Sequence, residues 1–279
     1  MLINQRVLFN DNGTEYDHSV ILNDYLTDSV TLPFVKDEDY LYIASDMPLN
    51  SKYFVVSTAN DEAATISIDI WFNNDWVSAV DIIDETSESG VPLAKSGLIR
   101  WKTNRLKGWD CEQDSEDVTG VDAVGIYDRF WTRIKWSESL KAETAIKYLG
   151  HKFCDDNELH TFYPELRDSD LQEAFEDGKT DWIDQEIAAS EGIMTELVSR
   201  RIVYSPAQVM NTELFKMAAI HKTAHLIFSA MGRSHEEDAA KAKIMYEQSM
   251  NMKNFQVDIN QSGNLDPVER VVTTTYLER

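Results

Sequence analysis

Thr65-Ile66-Ser67-Ile68-Asp69-Ile70-Trp71-Phe72, then Asn73-Asn74-Asp75, then Trp76-Val77, is the stretch on which the reading of the fold turns. Apolar and polar side chains alternate through the first run with a period of two, the pattern of a strand with one face in a core. Short polar residues that tolerate a tight turn interrupt it, and apolar residues resume at once. The segment therefore predicts a β-hairpin.

Similar runs lie on both sides. Tyr40-Leu41-Tyr42-Ile43 and Tyr53-Phe54-Val55-Val56 precede the hairpin, and Gly97 to Trp101, Phe130 to Trp136 and Ala145 to Leu149 follow it. Strands so short and so regularly spaced predict an antiparallel β-sandwich, jelly-roll-like or of related topology, over residues 31–160. Residues 1–30 mix brief apolar runs with Asp11-Asn12-Gly13-Thr14 and read as an N-terminal arm. Trp71, Trp76, Trp101, Trp109, Trp131 and Trp136 all fall in this half. Trp71, Trp101, Trp131 and Trp136 lie inside strand patterns and are assigned to the core. Trp76 and Trp109 border turns and are the candidate surface aromatic contacts, since flat exposed indoles stack on sugar rings.

The periodicity changes after His160. Residues 161–254 read as an antiparallel helical bundle, giving an α+β chain of two segregated domains. Asp168 to Asp177 is a short acidic helix ending near Gly178. A longer one starts at Thr180, with Trp182, Ile183, Ile187, Met194, Leu197 and Val198 near helical spacing, acidic residues at its start and Arg200-Arg201 at its end. Ser205-Pro206 or Asn211 opens the next, whose Leu214, Met217, Ala218, His221, His225 and Phe228 fall near one face and which stops at Gly232. Ser234 and Glu237 have capping-box spacing for a last helix. Residues 255–279 form a strand-like tail. Phe255, Val257 and Ile259 alternate with polar residues, Gln261-Ser262-Gly263-Asn264 breaks the run, and Val268 to Leu277 is rich in Val, Thr and Tyr. The backbone groups of such a tail require a partner, either its own domain or a neighbouring subunit.

Composition narrows the function. The 279 residues include 49 acidic and 26 basic ones, a net charge of −23. A surface of that sign repels phosphate backbones, which argues against gripping nucleic acid and suits a wall past which DNA slides. Cys111 and Cys154 are too few for a disulfide scaffold. Neither a signal-peptide pattern nor a run of about eighteen apolar residues occurs, so the reading is a soluble protein made in the cytoplasm, without membrane contact.

Catalytic signatures are missing. No nucleophile elbow, phosphate-binding loop or dinucleotide fingerprint occurs. His151, Cys154 and His160 form a conceivable zinc cluster, but their spacing fits no usual finger and the acidic residues among them suggest a loop. His221 and His225 are one helical turn apart, yet Lys222 stands where a metalloprotease needs Glu, so hydrogen-bonded histidines on a packed helix face are expected. The acidic groups Asp81, Asp84, Glu85, Glu88 and Glu112, Asp114, Glu116, Asp117 do not follow the EF-hand pattern and read as solvated loops. No catalytic residue, metal or cofactor is assigned.

The order of elements from Thr180 to Arg279 resembles the head-tail connector or adaptor proteins of tailed bacteriophages. The residues that carry this are the helix ending LVSRRI, the helices ELFKMAAIHKTAHLIFSAMG and EEDAAKAKIMYEQSMNM, and the closing VDINQSGNLDPVERVVTTTYLER. The resemblance covers about a third of the chain and implies a non-enzymatic structural protein of the virion neck. It would form a homo-oligomeric, dodecameric ring between the portal protein and a stopper or tail terminator, with DNA passing through unbound. By the same resemblance Val268, Arg270, Val271, Val272, Thr273, Thr274, Thr275, Tyr276, Leu277 and Arg279 would contact the portal or a neighbouring subunit. The β-rich half departs from that family and has room for a role in docking collar or tail fibres. The alternative is a carbohydrate-binding or tail-fibre or baseplate-associated module using Trp76 and Trp109.

Overall fold

The computed structural model describes residues 5–104, 108–121, 125–209, 212–251, 258 and 263. These divide into two compact units. The first takes the described residues up to Gly150, Ser205 to Val209, Asp258 and Gly263; the second takes His151–Tyr204 and Thr212 to Asn251. Antiparallel β-sheets make up the first and helices the second, an α+β chain.

Among the described residues the first unit contains β1 (Gln5–Asp11), β2 (Thr14–Asp17), a single helical turn α1 (Ser19–Leu22), β3 (Val30–Thr31), β4 (Tyr40–Ser45), β5 (Ser51–Thr58), β6 (Ile66–Phe72), β7 (Asp75–Ser78), β8 (Val80–Asp84), β9 (Gly97–Lys102), β10 (Cys111–Asp114), β11 (Tyr127–Trp136) and β12 (Ala145–Gly150). One sheet runs β2-β1-β4-β11-β6-β7, with β10 paired to the start of β11; the other runs β3-β12-β5-β9-β8. The predicted hairpin is β6–β7. Trp71 pairs with Trp76 and Phe72 with Asp75, leaving Asn73 and Asn74 as a two-residue loop with φ of 55° and 59°. Both loop residues are left-handed, which matches the twist of the strands they join and which Asn tolerates better than most residues.

Alternation fixes the packing. Val7, Phe9, Leu41, Ile43, Ile68, Ile134 and Trp136 of the first sheet share one core with Phe54, Ile99, Trp101, Ile146 and Leu149 of the second. Side chains one position along point the other way. Leu8, Tyr42, Ala44, Trp71 and Trp131 make a second core on the far face of the first sheet, closed by Val118, Val121 and Ile126 from the connection between β10 and β11. Burying each such side chain contributes about 1.5–3 kcal/mol before the entropy of ordering the chain is subtracted. Trp71, Trp101, Trp131 and Trp136 are all buried, Trp101 and Trp136 in the core between the sheets and Trp71 and Trp131 in the second one.

Within the stretch read as an arm, Gln5–Asp17 is a hairpin, and β1 pairs with β4 from Gln5↔Ser45 to Asn10↔Tyr40. With both faces of β1 covered, its residues show no polar alternation to read. The second unit starts at His151.

The second unit contains α2 (Asp156–Phe162), α3 (Ser169–Phe175), α4 (Ile183–Ser199), α5 (Lys216–Ala230) and α6 (Glu236–Met250), with α5 packed against α2, α4 and α6. Asp168 caps α3, accepting from the Asp170 amide. Thr180 does not cap α4, which begins after Trp182; the Trp182 indole N–H donates to Leu166 O at 2.8 Å. Ser234 and Glu237 form no capping box, because α6 starts at Glu236 and the Ser234 hydroxyl turns back to Met231 O. Capping boxes form instead at Asp155 with Glu158, which starts α2, and at Ser205 with Gln208, which closes a single turn at Pro206–Gln208.

Candidate functional site

The tail assignments Val268, Arg270 to Leu277 and Arg279 lie outside the described residues. Two positions ahead of them are described, Asp258 and Gly263, and both are buried in the first unit. Their seat starts at Asp46, whose Oδ1 accepts from the Ser205 hydroxyl at 2.6 Å. The Ser205 amide donates to Gln208 Oε1 at 3.2 Å, which orients the Gln208 side chain. Gln208 then holds Asp258 by its backbone on both sides. Its Nε2 donates to Asp258 O at 3.2 Å, and its carbonyl accepts from the Asp258 amide at 3.0 Å.

Asp258 in turn accepts from the Gly263 amide through Oδ2 at 2.8 Å. Gly263 has φ of 70°, and a Cβ there would overlap Trp109 Nε1 and come within 3.1 Å of Thr103 Cγ2. Only glycine fits, for reasons of both backbone and space. The Asp258 carboxylate thus holds the Gly263 amide, with Trp109 beside Gly263.

Trp109 is therefore corrected as a surface contact: it is buried with Ile70 and Phe130. Trp76 is half-buried, and its indole N–H donates to Thr119 O at 2.9 Å. Its ring packs edge-on to Trp71 at 5.1 Å and tilted against Tyr42 at 5.7 Å. The Arg133 guanidinium lies 4.7 Å from the Tyr40 ring centroid and 4.6 Å from that of Trp76, an enclosed cation–π sandwich. Arg133 also donates to Asp69 Oδ2, with Lys135 at 3.2 Å from the same oxygen. Burial would raise the Asp69 pKa, but Arg133 and Lys135 outweigh it and hold the carboxyl below its ordinary value.

In the second unit, α4 grips three successive residues of the segment leading to α2. The His151 ring Nδ1 is 3.0 Å from Glu191 Oε1, Lys152 Nζ is 2.8 Å from Glu186 Oε2, and the Phe153 amide donates to Ser190 Oγ at 3.0 Å. Glu186 is buried, and desolvation, offset in part by Lys152, pushes its carboxyl up to about 8. Cys154 is buried against Thr223 Oγ1, and burial raises its thiol well above the ordinary value. These contacts are those of a packed polar core. Among the described residues no three His, Cys, Asp or Glu side chains gather where they would hold a metal ion, so His151, Cys154 and His160 are not brought together as a ligand set, nor are the acidic loops.

His221 and His225 have separate partners. His221 is buried with Nδ1 2.8 Å from the Tyr163 hydroxyl, and burial lowers its pKa; His225 Nδ1 faces Ala239 O at 3.1 Å. A cleft of about 280 Å³ opens beside Glu196, Arg200, Tyr246, Glu247, Met250 and Asn251. Its floor is internally paired: Tyr246 donates to Glu196, Arg200 pairs with Glu196, and Lys222 reaches the Tyr246 hydroxyl at 3.3 Å. Lys222 also fills the space beside Gly192, where a Cβ would approach its Nζ to 2.8 Å.

No protein-family model matches the chain, no curated protein matches it, and no solved structure matches it. No described helix is long and apolar enough to cross a membrane.

The sequence reading named the outer tail, Val268 to Arg279, and missed its base. A signal was present in Asp258 and Gly263, an Asx residue followed by a turn-type cluster, but Gln208 and Trp109 are too distant in sequence to be joined to it by local reasoning.

Proposed function

We propose that this chain is a structural virion protein: a ring-forming head-to-tail adaptor that joins the portal to the tail around the DNA path. In this reading the two sheets are the layers of a β-sandwich turned outward for neck decoration or fibre docking, and the helices are the bundle that forms the ring. The observation that carries it is the anchorage of Asp258 and Gly263 on the first unit, immediately ahead of the Val268 to Arg279 segment assigned to docking. A segment fixed at its base delivers its outer part to a partner at lower entropic cost than a free one.

Other features agree. The net charge of −23 suits a wall past which DNA moves without being held. His221, His225 and the Cys154 thiol each have a polar partner within the helical unit, and Glu186 is paired with Lys152. The carbohydrate-binding alternative draws no support from Trp109, which has no exposed ring face to offer.

Deleting Val268 to Arg279 tests the proposal. The shortened chain is expected to keep the circular dichroism and cooperative melt of the full chain and to lose co-sedimentation with portal rings. Portal binding that survives the deletion contradicts the assignment.

A further inference from the structure

Lys222 on α5 occupies a space that α4 leaves by lacking a side chain. At Gly192, in the middle of α4, a Cβ would come within 2.8 Å of Lys222 Nζ and 2.9 Å of its Cε. Glycine weakens a helix interior, and here it makes room for the lysine tip. A chain of hydrogen bonds runs outward from that tip. Nζ donates to the Tyr246 hydroxyl at 3.3 Å, and the hydroxyl donates in turn to Glu196 Oε2. Arg200 pairs with the other Glu196 oxygen and fixes the carboxylate. Glu196, Arg200 and Tyr246 line the cleft of about 280 Å³, together with Glu247, Met250 and Asn251.

The polarity of this chain is that of a proton relay. A proton leaving the amine passes to Tyr246 as Tyr246 passes its own to Glu196, at the wall of the cleft. The amine is disposed to give that proton up. Burial lowers the Lys222 pKa, Glu196 opposes the shift and Arg200 adds to it, with a downward balance. Burial and the bond to Glu196 raise the Tyr246 pKa, so the phenol keeps a proton to relay.

We propose that Lys222 is a nucleophilic amine that captures a small uncharged aldehyde from the cleft as an imine, with Tyr246 and Glu196 carrying the protons. The neutral amine adds its lone pair to the carbonyl carbon, the π pair moves to oxygen, and a proton passes from nitrogen to that oxygen to give a carbinolamine. The hydroxyl then takes a proton through Tyr246 and leaves as water, and loss of the last nitrogen proton completes the C=N bond. One water is released and nothing is oxidised or reduced. Glu196 and Glu247 repel a carboxylate or phosphate on the incoming compound, whereas Asn251 and Met250 suit hydroxyl and short carbon groups. Capture needs no second chain and stands apart from ring assembly.

Reductive trapping tests it. The full-length protein is incubated at pH 7 with glycolaldehyde and cyanoborohydride, which reduces any imine to a stable amine, and alkylation at each lysine is followed by peptide mass spectrometry. Lys222, with its side chain 17% exposed, is expected to react several-fold faster than Lys241, whose side chain is 70% exposed. Tyr246→Phe keeps the ring and removes the relay; Gly192→Ala favours the α4 helix and closes the space beside Nζ. Both are expected to keep the circular dichroism of the wild type and to bring Lys222 down to the Lys241 rate or below it. Glyoxylate in place of glycolaldehyde is expected to abolish the preference for Lys222.

A wild-type Lys222 that reacts no faster than Lys241 is a packed amine and overturns the proposal, whatever the variants do. A preference that survives in both variants overturns the relay, and one shown equally for glyoxylate overturns the uncharged substrate class.

Discussion

Arg133 and Asp69 face one another across β11 and β6, Nη2 to Oδ2 at 2.7 Å, with the guanidinium held between the rings of Tyr40 and Trp76. The pair is buried beside Trp71, Trp76 and Tyr42, with Lys135 and Ser78 completing the contacts of Asp69, and its worth lies in being complete. Removing Arg133 leaves a buried carboxylate with Lys135 as its remaining cation.

Arg133→Ala is expected to lower unfolding free energy in urea by about 3–5 kcal/mol, the scale for breaking a buried pair. Arg133→Lys recovers only part, because an ammonium cannot make the two-nitrogen contact or stack between two rings. Equal stabilities for the Ala variant and the wild type would remove the pair from the account. The acid dependence follows from sign. The Asp69 pKa is lower in the fold than in the unfolded chain, so its contribution is present above the ordinary carboxylate value and is lost as pH falls through the folded one. Arg133→Ala should therefore flatten the acid limb of the stability curve below about pH 4.

Glu186 runs the opposite way. Its carboxyl is raised from 4.5 to about 8, so the fold binds the proton more tightly than the unfolded chain does. Stability from this group is complete below pH 4.5 and is lost as pH rises to about 8. Glu186→Gln is expected to abolish that loss, making the variant the more stable protein at pH 8.5 and leaving the two nearly equal at pH 4. Thermal melts across the range decide it; parallel curves for the two proteins contradict it.

Gly97 and Gly90 separate two kinds of glycine requirement. A Cβ at Gly97 would lie 2.6 Å from the Glu85 carbonyl carbon and oxygen, which are backbone and cannot swing aside. Gly97→Ala is expected to cost about 1–3 kcal/mol as overpacking and to speed hydrogen exchange at Glu85, whose amide donates to Leu98 O. Gly90 has φ of 85° and open space around it, so Gly90→Ala should cost about 1 kcal/mol through backbone strain and leave Glu85 exchange unchanged.

Much of the β unit was legible because its determinants are local. The Asn73-Asn74 loop and the alternation of Ile66, Ile68 and Ile70 specify a hairpin within one short window; Trp101 and Trp136 follow from parity, whereas Trp71 and Trp131 are buried on the opposite face by the connection between β10 and β11. Strand β1 was hidden for the converse reason: Val7, Leu8 and Phe9 are apolar on both sides because the connection between β10 and β11 covers the far face, a fact stored elsewhere in the chain. Helix α2 was obscured by the metal-ligand types at His151, Cys154 and His160, although Asp155 and Glu158 stood at capping-box spacing. The box expected at Ser234 failed, whereas the one at Ser205 formed around a single turn, so the spacing marks a helical start without fixing its length. The seat of Asp258 was illegible, since it joins Asp46, Trp109 and the Ser205–Gln208 turn, which are far apart in sequence.

The central claim is assembly into a ring on the portal. Electron microscopy of the purified full-length protein mixed with portal is the direct measurement. Class averages showing a closed ring of this chain stacked coaxially on the portal are the predicted result. Monodisperse single chains beside bare portals, at concentrations well above those in an infected cell, would contradict it.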